Sequence, residues 1–219
     1  RKLLEAILHP IIRLESELKA MGISVLVPAE SSLRVHFKIA LSGFCQANGF
    51  LHPRSYTVTA PEQIVGVVQG TGYPCIVKGI LHGAHMAQSL LEAHVYFDQI
   101  RKLWGLPVII QEFIPGDTRN VVALADRTGR VVGMVAMRKL VITEKGKGWG
   151  GVTIGDEKLL AQATRIIAAL QWVGPIELEF IRHSRSGDYY LIEVNPRFPT
   201  WVFLAASAGQ NLPWAAGRI

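Results

Sequence analysis

The apolar positions change period several times along the chain, and each change marks an element. Residues 2–21 place Leu3, Leu4, Ile7, Leu8, Ile11, Ile12, Leu14, Leu18 and Met21 in a helical stripe closed by Gly22, with Pro10 as a kink point. Ile23–Pro28 reads as a short strand stopped by proline. A second helix begins at Ser31 or Ser32 and runs to the stop at Asn48-Gly49. Tyr56–Val58 is a short strand, and Thr59-Ala-Pro-Glu62 is a capping box for a helix ending near Gly70–Gly72. Cys75–Lys78 predicts a strand and 85–103 a helix closed by Gly105. Val108–Phe113 is an apolar strand bounded by Pro107 and Pro115.

After Gly116 the texture changes. Val121–Asp126 and Val131–Ile142 predict a hairpin around the turn Asp126-Arg-Thr-Gly129. A glycine-rich loop, Glu144–Gly155, follows, and Asp156 caps a helix reaching about Trp172. Pro175–Arg182 and Tyr189–Val194 form a second hairpin around Ser186-Gly-Asp188, and Trp201–Ala208 reads as helical. Helices mixed with antiparallel hairpins argue for α+β lobes rather than a parallel βαβ array.

Composition narrows the class. The 219 residues are 49% hydrophobic and 18% charged, which suits one large domain or two small lobes with real cores and argues against disorder. No apolar run is long enough for a membrane helix, and the N-terminus lacks a signal-peptide layout. Cys45 and Cys75 have no metal-type spacing and read as reduced thiols of a cytoplasmic protein. The net charge of +6 is scattered rather than blocked, so a pocket for polyanionic phosphate explains it better than a nucleic-acid partner. The chain begins without Met inside a running helix, as expected for a fragment of a longer protein.

The richest chemistry lies at Glu177-Leu-Glu-Phe-Ile and Tyr190-Leu-Ile-Glu193-Val-Asn195-Pro-Arg197. Strand alternation puts Glu177 and Glu179 on one face, and likewise Glu193, Asn195 and Arg197. Converging carboxylates repel unless a hard cation joins them, and magnesium takes oxygen ligands from carboxylates and phosphates. Arg197 suits phosphate or carboxylate. Read residue by residue, the same stretch is also an ordinary polar hairpin face with an Asn-Pro turn. Lys78 ends an apolar strand ahead of Gly79 and Gly83, where it is either a phosphate contact or a snorkelling lysine. Arg138-Lys139 leads into the glycine-rich loop, and Trp149 there reads as a lid or packing residue.

Glu-Val-Asn-Pro-Arg after a strand, with Glu-Leu-Glu-Phe upstream, resembles the metal-binding end of the ATP-grasp superfamily. The resemblance extends over roughly residues 30–210 and is strongest to the carbamoyl-phosphate-synthase-like, carboxylate–amine ligase branch. It implies an α+β ATP-grasp fold, with two lobes clamping ATP and a remnant of an N-terminal α/β domain. Residues 1–29 would be that remnant, 30–112 a linker helix and the N-lobe, and 113–219 the C-lobe with the metal site. Glu179 and Glu193 would bind magnesium, with Asn195 completing a second metal site, and manganese would substitute. Arg197 would hold the γ-phosphate or the acyl phosphate, with Arg138 and Lys139 facing the triphosphate. Lys38 and Lys78 would reach ATP. Gln111–Gly116 resembles the hinge, with Glu112 on the adenine amino group, backbone contacts at Phe113 and Ile114, and Asp117 on the ribose.

The implied function is a Mg-ATP-dependent ligase. It would activate a carboxylate as an acyl phosphate for attack by an amine or other nucleophile. A bicarbonate-activating carboxylase or carbamoyl-phosphate-type enzyme, and a non-catalytic ATP-binding regulatory module, are the alternatives. Small-molecule carboxylate and amine substrates are the implied partners, with no nucleic acid and no membrane, and a homodimer is compatible with this reading.

Overall fold

Alternation along the second half of the chain comes out as the longest hairpin of the protein. β5 (Gly116–Ala125) pairs antiparallel with β6 (Val131–Ile142), from Arg119 opposite Arg138 to Leu124 opposite Gly133. The turn forms as expected: the Asp126 carboxylate accepts from the Thr128 and Arg130 amides at 2.8 and 3.1 Å. The computed structural model describes residues 2–80, 83–142 and 148–219. Of the expected glycine-rich loop, 143–147 lie outside the described residues, and Gly148–Ile154 is a strand, β7, paired antiparallel with β6. β8 (Gly174–His183) and β9 (Tyr189–Asn195) complete a five-stranded sheet in the order β7-β6-β5-β8-β9. β8 and β9 are joined through a turn in which the His183 amide donates to the Asp188 carbonyl at 2.8 Å.

A four-stranded sheet occupies the earlier part of the chain. Its order is β1-β4-β2-β3, built from Ser55–Val58, Val108–Glu112, Cys75–Gly79 and Ala84–Ala87. The apolar pattern predicts a helix from residue 85. The structure instead makes Ala84–Ala87 a strand paired with β2, and helix α6 (Leu90–Trp104), the next after α5 (Ile64–Thr71), begins at Leu90. Ser89 sets that start. Its Oγ accepts from the Glu92 amide at 3.2 Å while the Glu92 carboxylate accepts from the Gln88 amide at 2.8 Å, a reciprocal cap. The core of this sheet comprises Val58, Ile64, Val77, Phe97, Ile100 and Ile110, with Cys75 among them.

The chain divides into two units. One comprises residues 1–36, 117–182 and 192–219, and the other 37–116 and 183–191. Residues 1–36 group with the five-stranded sheet in the first unit, and the second unit holds the four-stranded sheet. The reason is local. Ile23–Pro28 forms no strand, and Arg127 at the β5–β6 turn holds it by donating to the Ser24 hydroxyl and, at 2.9 Å, to the Val25 carbonyl. The first helical stripe also breaks, at Leu14, into α1 (Lys2–Arg13) and α2 (Glu15–Ala20). The second expected helix becomes a short turn of helix, α3 (Glu30–Leu33), a 3₁₀ turn, and α4 (Lys38–Asn48), closed by Gly49 at φ +67° as expected. α7 (Glu157–Ala169) is capped by Asp156, which accepts from the Leu159 amide at 3.0 Å.

Candidate active site

The chemistry-bearing residues of the five-stranded sheet share one face. β8 alternates, so Ile176, Leu178 and Phe180 point one way into apolar surroundings while Glu177 and Glu179 point the other. Glu177 is 2% exposed and fully engaged. Arg197 donates to it at 3.2 Å, Asn120 at 2.9 Å and the Trp201 indole N–H at 2.8 Å. Burial, and next the charge of Glu179, push the Glu177 carboxyl above its ordinary range, against the pull of those donors.

Glu179 is two residues along. Lys139 Nζ donates to its Oε2 at 2.8 Å and the Asn195 amide lies 3.4 Å from its Oε1. Lys139 and Met137 share a face of β6, whereas Arg138 points to the other face with Ala136. There Arg138 lies 3.8 Å from Asp117, which also pairs with Arg119 at 2.5 Å. The basic pair Arg138-Lys139 is therefore split. Lys139 joins the carboxylates, while Arg138 joins the Asp117 carboxylate expected for ribose.

Arg197 is the decisive member. It is 7% exposed, one terminal nitrogen is spent on Glu177 and the Phe198 carbonyl, and its Nε and Nη2 are buried without a partner among the described residues. Asn120 Oδ1 is likewise buried and unsatisfied. Buried unsatisfied donors are costly and rare, so a guanidinium with two of them beside the Glu177 carboxylate has the make-up of an anion-binding group. Glu193 follows on β9, partly buried. No three His, Cys, Asp or Glu side chains among the described residues converge as a ready cation cage. The donor set around Glu179, Glu193 and Asn195 fits magnesium nonetheless, because that ion takes one or two carboxylates and completes its shell with phosphate oxygens and water.

The four-stranded-sheet unit holds the other residues singled out in the sequence. Lys78, on β2, is 7% exposed and donates to Gln111 Oε1 at 2.8 Å. Glu112, at the end of β4, is held by Arg54 through two bonds of 3.0 and 3.1 Å, which keep its carboxyl below the usual range. Phe113 is over a third exposed and Ile114 is buried. Lys38 is the first residue of α4. Residues 81 and 82 of the expected phosphate loop lie outside the described residues. On either side of them β2 and β3 pair, with Lys78 opposite Ala84, and His85 stacks on Tyr96.

Sequence reasoning missed Asn120, Trp201 and Arg119 around this chemistry, and Ser55, His52 and Arg54 in the other unit. An arginine and an asparagine leading the apolar run Val121–Ala125 were the one available signal.

Residues 106–218 match the family described as "ATP-grasp in the biosynthetic pathway with Ter operon". The chain belongs to the ATP-grasp family. Acetyl-CoA carboxylase 1 of Oryza sativa subsp. japonica is 29% identical to this ATP-grasp chain over 161 residues, 66% of the chain and 7% of that protein. The carbamoyl phosphate synthase large chain of Gemmatimonas aurantiaca is 23% identical over 222 residues, 95% of the chain and 20% of that protein. The ATP-grasp chain thus spans a small part of the curated relatives it matches. Among solved structures, the biotin carboxylase–β,γ-ATP complex of Campylobacter jejuni superposes with a TM-score of 0.76 at 16% identity, over 92% of this chain and 49% of that one. The expected fold and family, with its carbamoyl-phosphate-synthase-like relatives, are borne out. No helix among the described residues is long and apolar enough to cross a membrane.

Proposed function

We propose that this ATP-grasp chain serves a Mg-ATP-dependent ligase that activates a carboxylate as an acyl phosphate. The observation that carries the reading is Arg197, with two guanidinium nitrogens unpaired among the described residues, buried beside Glu177 and close in sequence to Glu193 and Asn195. A substrate carboxylate oxygen attacks the γ-phosphorus, the bond to ADP breaks, and the acyl phosphate forms. An amine nitrogen then attacks the acyl carbon, losing a proton as inorganic phosphate leaves. Glu179, Glu193 and Asn195 would hold magnesium, which would supply neutralisation of phosphate charge. Arg197 meets the transferring phosphoryl group, and Glu177 fixes the plane of its guanidinium. Lys139 leaves Glu179 to face phosphate, and Lys78 carries a further positive charge to the nucleotide. Glu112, Phe113, Ile114 and Asp117 remain the proposed adenosine contacts, with Arg138 oriented by Asp117. Catalysis on this reading is positioning and charge stabilisation.

Bicarbonate is the second reading. It is favoured by the names of two relatives, an acetyl-CoA carboxylase and a carbamoyl phosphate synthase. It shares the first step, since carboxyphosphate is the acyl phosphate of bicarbonate. A cytoplasmic setting, a homodimer and an amine co-substrate belong to the same proposal. The test is an ADP-release screen of carboxylates, bicarbonate and amines, with Arg197→Met and Glu193→Ala beside the parent. Carboxylate-stimulated release that falls at least about 100-fold in both variants supports the reading, a loss typical of removing one stabilising donor. Full activity in either variant removes that residue from it.

A further inference from the structure

A buried polar chain runs behind Lys78, and its direction follows from donor and acceptor chemistry. An ammonium has no acceptor, so the Gln111 atom 2.8 Å from Lys78 Nζ is the carbonyl oxygen, and the amide nitrogen must point away. That nitrogen donates to Ser55 Oγ at 2.6 Å. Ser55 donates its single proton to the Pro53 carbonyl at 2.8 Å, which anchors the chain to backbone, and His52 Nε2 flanks it 3.3 Å from Ser55 Oγ. His52 Nδ1 faces the Leu191 carbonyl at 2.7 Å, so the ring carries its proton there and turns the Nε2 lone pair towards Ser55. The Leu191 amide in turn donates to the Leu51 carbonyl at 2.9 Å. Gln111 and Ser55 also stand opposite one another in the β1–β4 register, so the link is built into strand pairing.

We infer that Ser55 and Gln111 are positioning residues for nucleotide binding. They hold the Lys78 ammonium in one orientation through a hydrogen-bonded chain anchored at the Pro53 carbonyl. Gln111 then acts behind the lysine. A long lysine with three rotatable donors loses binding strength to rotamer freedom unless something orients it, and a fixed amide acceptor does so. This inference rests on the reading that Lys78 meets nucleotide phosphate.

The experiment is a double-mutant cycle on Mg-ATP dissociation constants, measured by titration calorimetry on the full chain, with urea midpoints recorded for every variant. Ser55→Ala weakens ATP binding by about tenfold, the equivalent of one positioning hydrogen bond, and Ser55→Thr restores it because the hydroxyl remains. In a Lys78→Met background Ser55→Ala changes nothing further, because its effect passes through the lysine. If Ser55→Ala unfolds, Gln111→Leu replaces it in the same cycle. An unchanged affinity in Ser55→Ala, or a penalty that persists undiminished without Lys78, overturns the inference while leaving the lysine's role intact. Undiminished ATP binding by Lys78→Met alone overturns the lysine reading and the inference with it.

Discussion

Acidification should destabilise the protein through one buried side chain of the four-stranded-sheet unit. Burial is the largest influence on His52 and lowers its pKa; the Leu191 carbonyl raises it less, and the charge of Lys78 lowers it again, leaving it at about 4 against an ordinary 6.5. The folded state therefore keeps the ring neutral where the unfolded chain protonates it. Between pH 6.5 and 4 the unfolded state binds more protons, so stability is fully present above pH 6.5 and drains away as pH falls. One proton bound only by the unfolded chain costs about 1.4 kcal/mol for every pH step of one, so the loss reaches roughly 2 kcal/mol by pH 5 and about 3 kcal/mol at pH 4. Urea unfolding at pH 7.5 and 5 reads it directly. The comparison is His52→Asn, whose side-chain amide keeps a donor for the Leu191 carbonyl but does not titrate. The parent should lose about 2 kcal/mol more than His52→Asn over that interval. Parallel losses in the two proteins would refute a buried neutral imidazole at this position.

Two further outcomes follow from buried groups. Glu177→Leu leaves the Arg197 guanidinium without its counter-charge, and thermal or urea unfolding should show about 3–5 kcal/mol lost, much of it regained in the double variant with Arg197→Met. Gly174 sits at φ +92° with the Leu26 carbonyl oxygen 2.6 Å from where a β-carbon would lie, so Gly174→Ala should cost about 2 kcal/mol or more in the same assay; an unchanged midpoint would sink the argument.

The sequence was most legible where a local rule governs. The β5–β6 and β8–β9 hairpins, the Asp156 cap and the Gly49 stop each follow from neighbouring residues, and the structure repeats them. Strand β3 was not legible because Ala-His-Met-Ala is short and mostly exposed, held by pairing with β2 rather than by its own pattern. Ile23–Pro28 failed in the opposite way. It has the composition of a strand, yet it is held by Arg127, about a hundred residues away in sequence, and no strand flanks it. The candidate site divides along the same line. Period-two alternation placed Glu177 and Glu179 together, but nothing local announces that Trp201 and Asn120 close around Glu177, or that Ser55 and Gln111, 56 residues apart, touch. The split of Arg138 from Lys139 was implicit in alternation and required the strand to continue past both.

The two thiols are buried in the same unit, Cys45 on α4 and Cys75 on β2. Burial raises both, Cys45 to about 12, so near neutral pH only on the order of one Cys45 in 10⁵ is a thiolate. The native protein should thus ignore maleimides and disulfide reagents until the four-stranded sheet opens. That makes the cysteines a built-in clock. Pulsed alkylation would time excursions of this unit alone, with ATP present or absent, and a third cysteine introduced at an exposed position such as Ser186 would accept a fluorophore without competition from either.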